Sequence, residues 1–270
     1  TLQVFALDPV IARAWYFDVQ TMHWLGTGPG EWWAHSLLHT GGRWLVRTVA
    51  ALAIAVWALS FFQERARHWR RPAVFVTLAM VLSIAIVGGL KAITNVDCPW
   101  DLTGFGGHNP YVELFADRPD ALSRARCFPG AHASSGFALV CFYFVLRDRS
   151  TALARSGLAI GTGIGIIFSI GQESRGAHFM SHDLVSAAIV WSVQLALYCW
   201  LLRPPAENRV PATVQGGRDF RHRASPHLKA GVGLPSYPPR RPPPPPPRIR
   251  SAGSAHHRRW PSPCRQSWLP

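Results

Sequence analysis

The chain has 270 residues, of which 48% are hydrophobic and only 16% are charged, and it contains 12 tryptophans. This length and composition suit one membrane domain or two small soluble domains. The formal net charge of +14 is uneven, because residues 204–270 hold 12 basic against 2 acidic residues, whereas residues 1–203 hold 16 against 12. The basic excess therefore belongs to the tail, and nucleic-acid binding is not expected.

Residues 1–43 form the first of three predicted regions. They mix many aromatic side chains with acidic residues and histidines. Aromatic rings favour the level of the lipid headgroups, so we interpret this region as an interfacial N-terminal segment. It lacks the pattern of a secretory signal peptide, and we expect an upstream element before Thr1.

The second region, residues 44–203, contains five apolar segments and predicts an all-α, polytopic membrane helix bundle. A spanning helix needs about 20 apolar residues, and most of these segments approach that length. One such run could be a buried core helix, but five favour a membrane protein. The predicted spans are Trp44–Phe62, Ala73–Leu90, Gly136–Leu146 (a short span if it begins at Ala133), Leu153–Ile170 and Leu184–Leu202.

Arginines predict the orientation of these spans. They cluster between the first and second spans, between the third and fourth, and after the fifth, which the positive-inside rule assigns to the cytoplasm. The arginines concerned are Arg65, Arg67, Arg70, Arg71, Arg147, Arg149, Arg155 and Arg203. The loops 91–133 and 171–183 then lie together on the outer side, with every candidate catalytic residue.

The outer loop 171–183 reads Gly-Gln-Glu-Ser-Arg-Gly-Ala-His-Phe-Met-Ser-His-Asp. On a helix, His178 and His182 would lie one turn apart with Asp183 beside them, and Arg175 would supply a bidentate charge for an oxyanion. This equipment suits phosphoryl chemistry. The alternative is a polar loop that caps two helices.

Zinc is a rival interpretation of the same histidines. Two histidines at i and i+4 can share a zinc ion, but no glutamate follows the first one and a third ligand is not obvious. No metal and no cofactor are therefore predicted.

The other outer loop begins and ends with candidate groups. Lys91 ends the second span, where a lysine can also simply extend to the interface. Gly130 and Ala131 form a small-residue turn before His132. The backbone N–H groups of this turn could face an anion. A plain helix-capping turn is the alternative. The combination with Arg175 and His178 favours a phosphate site.

These stretches resemble three motifs of the type 2 phosphatidic acid phosphatase superfamily of membrane lipid phosphatases. The first motif is lysine, six residues, then Arg-Pro, and here Lys91 and Pro99 match while Cys98 replaces the arginine. The second, Pro-Ser-Gly-His, reads Pro-Gly-Ala-His at 129–132. The likeness covers roughly residues 8–203 and indicates a divergent bacterial subgroup with six spans, one of them ahead of Thr1.

The third motif runs Ser-Arg, five residues, His, three residues, Asp. Ser174 and Arg175 match its opening, but neither histidine has the family distance. We prefer His178 as the counterpart of the nucleophile because of its Gly-Ala-His-Phe context. His182 then takes the expected acid position, and Asp183 comes one residue late.

The resemblance implies a two-step hydrolysis through a phosphohistidine on His178. His132 would act as general acid and then base, and Asp183 or His182 would orient the nucleophile. The phosphoryl oxygens would be bound by Lys91, Arg175, the backbone at Gly130 and Ala131, and a further arginine in place of the missing one, namely Arg118, Arg124 or Arg126.

The resemblance also implies a hydrolase of a lipid phosphate or pyrophosphate monoester, such as a phospholipid, isoprenyl or lipid A phosphate. The protein would lie in the bilayer, in a bacterial inner membrane with its site facing the periplasm. A lipid phosphotransferase and a catalytically inactive lipid-phosphate-binding protein are the alternatives.

Cys98 and Cys127 lie in one outer loop beside the first two motifs. In an oxidising compartment these cysteines are expected to form a disulfide that fixes Lys91 relative to His132, with chance placement as the alternative.

The third region, residues 204–270, is predicted to be a disordered tail rich in proline and arginine. It includes an unbroken run of six prolines at Pro242–Pro247. It could bind a partner domain or anionic headgroups, or it could be a non-native end from a shifted reading frame.

Overall fold

Seven α-helices and one small hairpin organise the chain in the computed structural model, which describes residues 2–28, 31–114 and 116–203. The described residues belong to one compact unit, Thr1–Arg203. The predicted tail lies outside them. The helices are α1 (Leu2–Trp15), α2 (Gly42–Phe62), α3 (Arg70–Ile93), α4 (Ala131–Phe137), α5 (Cys141–Leu146), α6 (Thr151–Glu173) and α7 (Met180–Leu197).

Shorter helical turns lengthen or join these helices. A π-helix precedes α2 and another follows α7, while 3₁₀ turns precede α3, join α4 to α5 and lie in the loop after α3. Their bounds are Trp32–Gly41, Tyr198–Leu202, Glu64–Trp69, Ala138–Val140, Pro99–Asp101 and Thr103–Phe105. Strands β1 (Phe17–Asp18) and β2 (His23–Trp24) pair antiparallel, with Phe17 opposite Trp24.

The protein is an all-α membrane bundle, as the apolar segments predicted. Four helical stretches of the described chain are long and apolar enough to cross a membrane, and a shorter apolar helix completes the five. The four are Trp32–Phe62, Glu64–Ile93, Thr151–Glu173 and Met180–Leu202, and the shorter one is Ala131–Leu146.

The helices extend beyond the apolar runs that predicted them. The first begins at Trp32 instead of Trp44, so part of the predicted interfacial segment is helical and continuous with α2. The N-terminal segment also contains α1 and the β1–β2 hairpin. A hydropathy scan misses such ends because it counts the polarity of each side chain. It does not count the contacts that a polar residue makes in the terminal turn of a helix.

Apolar side chains pack between the spans, while others face outward. Phe75, Met80 and Phe144 are almost fully buried in the core, which lies between α3, α5, α6 and α7. Leu52 and Ile160 are 61% exposed, as expected for side chains that face lipid. The absence of water around such residues also explains why the backbone is helical wherever it crosses the apolar layer.

Glycines bring α6 against the α4–α5 segment. A Cβ atom on Gly136 would lie 2.9 Å from the Cα atom of Gly165, and one on Gly161 would lie 2.6 Å from the backbone nitrogen of Val140. Small residues at these positions allow the two backbones to touch, which is how helices associate closely in membranes.

We expect Gly161→Ala to destabilise the bundle, because its Cβ atom would collide with the backbone at Val140. Overpacking of this kind costs about 1–3 kcal/mol. Gly163→Ala is the matched control on the same helix, since no atom lies within 4 Å of its Cβ position. Thermal unfolding in detergent measures both variants, and equal melting temperatures would contradict this packing.

Candidate active site

Helix ends bring the predicted site residues to one end of the bundle. Lys91 lies in the last turn of α3, and His132 lies in the first turn of α4. His178 belongs to the connection from α6 to α7, and His182 and Asp183 lie in the first turn of α7. The two predicted outer loops therefore meet at one end of the bundle.

His178 and His182 form a buried pair. Their Nδ1 atoms are 3.4 Å apart, and the side chains are only 5% and 2% exposed. The pKa of His178 is held well below its ordinary value by burial first, and then by the nearby charges of Lys91, His182 and His132. His178 is therefore neutral near pH 7, which leaves a ring nitrogen with a free electron pair.

Asp183 lies against the turn that precedes α4. Both of its carboxylate oxygens are buried, and within the described part of the chain the hydroxyl of Ser169 is a neighbouring donor that makes no hydrogen bond of ordinary geometry to them. A Cβ atom on Gly130 would collide with Oδ1 of Asp183, so only glycine fits there. The N–H group of Gly130 donates to the carbonyl oxygen of His182 at 3.1 Å, which leaves Ala131 as the better backbone donor for a bound anion.

His132 is oriented by a residue group that the sequence did not indicate. Its Nε2 atom lies 3.2 Å from the carbonyl oxygen of Leu38, to which it can donate a hydrogen bond. Its ring stacks on Phe168 at 4.5 Å between centroids and approaches the ring of His39 at 4.6 Å. The Gln172 amide in turn donates to Nδ1 of His39 at 3.1 Å.

His39 was assigned to the interfacial segment, and the structure places it in the site. The sequence could have indicated His39 only if the first apolar helix had been predicted to start near Trp32 instead of Trp44. A helix with that start places His39 at the same end of the bundle as His132.

Arg175 lies on the His132 side of the site. It is partly buried and close enough to His132 and His39 for electrostatic interaction. Burial lowers its pKa, and Glu31 partly offsets this effect. The turn that carries it is held by Gly26, whose N–H group donates to the carbonyl oxygen of Ser174 at 2.8 Å.

Arg118 is engaged elsewhere. Its guanidinium group forms a salt bridge with Asp97, with Nη2 donating to Oδ1 at 2.8 Å, and it also donates to the carbonyl oxygen of Ser123. Asp97 raises the pKa of Arg118. Arg124 donates to the carbonyl oxygen of Ala92 at 2.7 Å, and Arg126 is exposed. Arg118 thus stabilises the outer loop, which weakens its candidacy as a phosphate ligand.

Cys98 and Cys127 are joined by a disulfide in the structure, with 5.1 Å between their Cα atoms. The N–H group of Cys127 donates to the carbonyl oxygen of Val96 at 3.0 Å. The bridge therefore connects the segment after Lys91 to the segment before His132, and the sulfur of Cys127 lies 3.7 Å from Nδ1 of His178.

The N-terminal helix supplies a second unpredicted contribution. Asp8 accepts hydrogen bonds from the backbone N–H and the hydroxyl of Ser181, in the first turn of α7. A carboxylate there satisfies an N–H group without an intrahelical partner and favours the positive end of the helix dipole. Burial raises the pKa of Asp8 to about 6, although the bonds from Ser181 lower it in part.

The N-terminal segment makes a second contact, with the buried acidic residue Glu173. Tyr16 is hydrogen-bonded to the side chain of Glu173, and its pKa rises to about 12 through burial and then through the charge and hydrogen bond of Glu173. The N-terminal segment thus contacts both ends of the connection that carries His178.

Comparison with known proteins gave one family match. The sequence model of a family described as the PAP2 superfamily matches residues 72–205. This range contains Lys91, His132, Arg175, His178 and His182, and it excludes Asp8 and His39. Searches of the curated proteins and of the solved structures returned no match.

The raised pKa of Asp8 predicts a pH-dependent stability. A carboxyl group whose pKa rises from 3.8 to about 6 on folding favours the folded state while protonated. Its contribution is fully present below pH 3.8 and is lost as the pH rises through 6. We therefore expect the stability of Asp8→Asn to decline less than that of the unaltered protein as the pH rises from about 4 to 7. Thermal unfolding across this range measures the difference. The same pH dependence in both proteins would contradict the assignment.

Proposed function

The chain belongs to the PAP2 superfamily, whose members are phosphatases that act on phosphate esters, and on that premise we propose that it hydrolyses a lipid phosphate or pyrophosphate monoester through a phosphohistidine. The observation that carries the proposal is the convergence of Lys91, His132 and the buried pair His178–His182 at one end of a membrane bundle.

The histidine pair suggests how the nucleophile is prepared. With Nδ1 of His178 donating to Nδ1 of His182, 3.4 Å away, the Nε2 atom of His178 keeps its electron pair. We propose that Nε2 attacks phosphorus, that a bond forms between them, and that the bond to the leaving oxygen breaks. His182 has the contact with His178 that an orienting residue needs, so His182 is the better candidate for that role.

His132 is the proposed general acid and base. Its Nε2 atom faces the carbonyl oxygen of Leu38, so Nδ1 is the atom available for the leaving group. It would enter the first step as the imidazolium, with a proton on each ring nitrogen, give the Nδ1 proton to the leaving oxygen, and regain that proton from the attacking water in the second step. Water then attacks the phosphohistidine, the nitrogen–phosphorus bond breaks, and phosphate leaves. No metal takes part in this scheme.

Positive groups stabilise the phosphoryl oxygens in this proposal. Lys91 is close enough to His178, His182 and Asp183 to interact electrostatically, and Arg175 is similarly close to His132. With the N–H group of Ala131 they would surround a phosphoryl group between the two histidines as negative charge develops.

A lipid substrate suits the position of the site. Lys91, His132 and His182 lie in the terminal turns of membrane helices, so a phosphate there would remain at the bilayer surface. The outward apolar side chains of the same helices would contact the acyl or isoprenyl chains of a lipid. We propose an integral location in a bacterial inner membrane, with the site facing the periplasm.

His178→Ala is expected to lower phosphate release from a short-chain lipid phosphate by about 10³-fold or more and to abolish the trapped phosphoenzyme. His182→Ala should cost about 10²-fold through misorientation but retain the trapped species. His68→Ala, an exposed histidine at the other end of the bundle, is the control. A phosphoenzyme that survives His178→Ala and disappears in His182→Ala would reverse the assignment.

Product analysis separates the three candidate functions. We expect free phosphate from purified protein supplied with phosphatidic acid, phosphatidylglycerol phosphate, an isoprenyl pyrophosphate or lipid A. Phosphate transferred to a lipid acceptor would indicate a phosphotransferase. Binding without any product would indicate a phosphate-binding protein, consistent with the altered first and second motifs.

A further inference from the structure

A sulfur atom lies beside the histidine pair, and together they form a three-ligand group. The Sγ atom of Cys127 and one ring nitrogen each of His178 and His182 all lie within 4.8 Å of one another, and all three residues are buried. Cysteine thiolate and histidine imidazole are ligands that bind transition metals such as zinc.

Two of the three distances within this group agree with those between ligands of a tetrahedral zinc ion. With zinc–nitrogen distances of about 2.0–2.1 Å and a zinc–sulfur distance of about 2.3 Å, tetrahedral geometry places two nitrogens about 3.4 Å apart and sulfur about 3.6 Å from nitrogen. The Nδ1 atoms of His178 and His182 are 3.4 Å apart, and Sγ of Cys127 is 3.7 Å from Nδ1 of His178.

The disulfide keeps this group from binding a metal. The sulfur of Cys127 is bonded to that of Cys98, so it carries no proton to lose and cannot become a thiolate ligand. We propose that reduction of the Cys98–Cys127 bridge creates an inhibitory zinc site formed by Cys127, His178 and His182.

The chemistry requires a two-electron reductant, which in a cell is a thiol or dithiol. Its two electrons break the sulfur–sulfur bond, its two protons give the thiols of Cys98 and Cys127, and the reductant becomes a disulfide. Zinc then replaces the proton of the Cys127 thiol and binds to the Nδ1 atoms of both histidines. The fourth ligand position is left for water, as in other open zinc sites.

Zinc binding would remove the nucleophile, a consequence that rests on the proposed function. A neutral imidazole that binds zinc through Nδ1 carries its proton on Nε2. The Nε2 atom of His178, proposed above to attack phosphorus, then has no free electron pair. The intact bridge therefore protects the catalytic histidine from metal.

Cobalt(II) provides a test that does not depend on activity. The full chain in lipid nanodiscs is titrated with Co²⁺, oxidised or after reduction by a phosphine, which becomes a phosphine oxide and binds metals weakly. We expect one Co²⁺ per chain only after reduction, with tetrahedral ligand-field bands and a sulfur-to-cobalt charge-transfer band that zinc displaces. Reduced protein without these bands would overturn the proposal.

Variants identify the ligands. Cys98→Ser should bind Co²⁺ without a reductant, because Cys127 is then a free thiol, whereas Cys127→Ser and His182→Ala should lose the charge-transfer band under all conditions. Cys141→Ser, which removes a buried free thiol in a span, is the matched control and should bind after reduction like the unaltered chain. A band that persists in Cys127→Ser would place the metal elsewhere and refute the site.

Hydrolysis is measured separately on the same samples. Zinc should reduce the rate of the reduced protein by at least tenfold relative to reduced protein in a chelator, and the chelator should restore it, while oxidised protein is unaffected. If cobalt binds but zinc leaves the rate unchanged, inhibition is refuted. If no sample hydrolyses any substrate, the proposed function fails, and the spectra still decide the zinc site.

Discussion

The close approach of α4 to α7 determines where the polar groups of the site lie. Gly130 has no side chain, so the carboxylate of Asp183 occupies the space beside it, and the backbone N–H of Gly130 is bonded to the carbonyl oxygen of His182. Gly136 and Gly165 bring α4 equally close to α6. Because backbone atoms make these contacts, side-chain rotation cannot relax them, and the buried histidines keep fixed positions.

An apolar layer over the site follows from the same geometry. Phe179, which follows His178, packs with Phe17, Trp24, Leu102 and Phe105, so the N-terminal hairpin and the outer loop cover the connection before α7. Gly176 has a φ of +71° and lies under the Trp24 ring, where a Cβ atom would collide. The exclusion of water by this layer keeps His178 neutral and strengthens every charge interaction around it.

The sequence was sufficient to predict the spans and their order, because membrane insertion depends on the apolarity of continuous segments. It also indicated Lys91, His132, Arg175, His178 and His182, since these lie in the loops just before or just after those segments. The exact helix ends were not predictable in this way: polar residues in terminal turns find partners that hydropathy does not count.

Long-range partners were beyond the reach of sequence patterns. The contact of His132 with Leu38 joins residues 94 positions apart, and that of Asp8 with Ser181 joins residues 173 positions apart. No local spacing encodes such pairs. The role of Arg118 as a phosphate ligand stays a prediction; in the structure its guanidinium group forms a salt bridge with Asp97, which no local spacing indicated.

The contact between Asp8 and Ser181 also has a consequence for biosynthesis. The bridge between Cys98 and Cys127 requires only the first half of the chain, so it can form while α6 and α7 are still on the ribosome. The hydrogen bonds from Ser181 to the Asp8 carboxylate can form only after the last helix, α7, has been inserted. A nascent chain that lacks α7 can therefore hold the bridged outer loop, but the residues of the candidate site come together only after α7 has been translated.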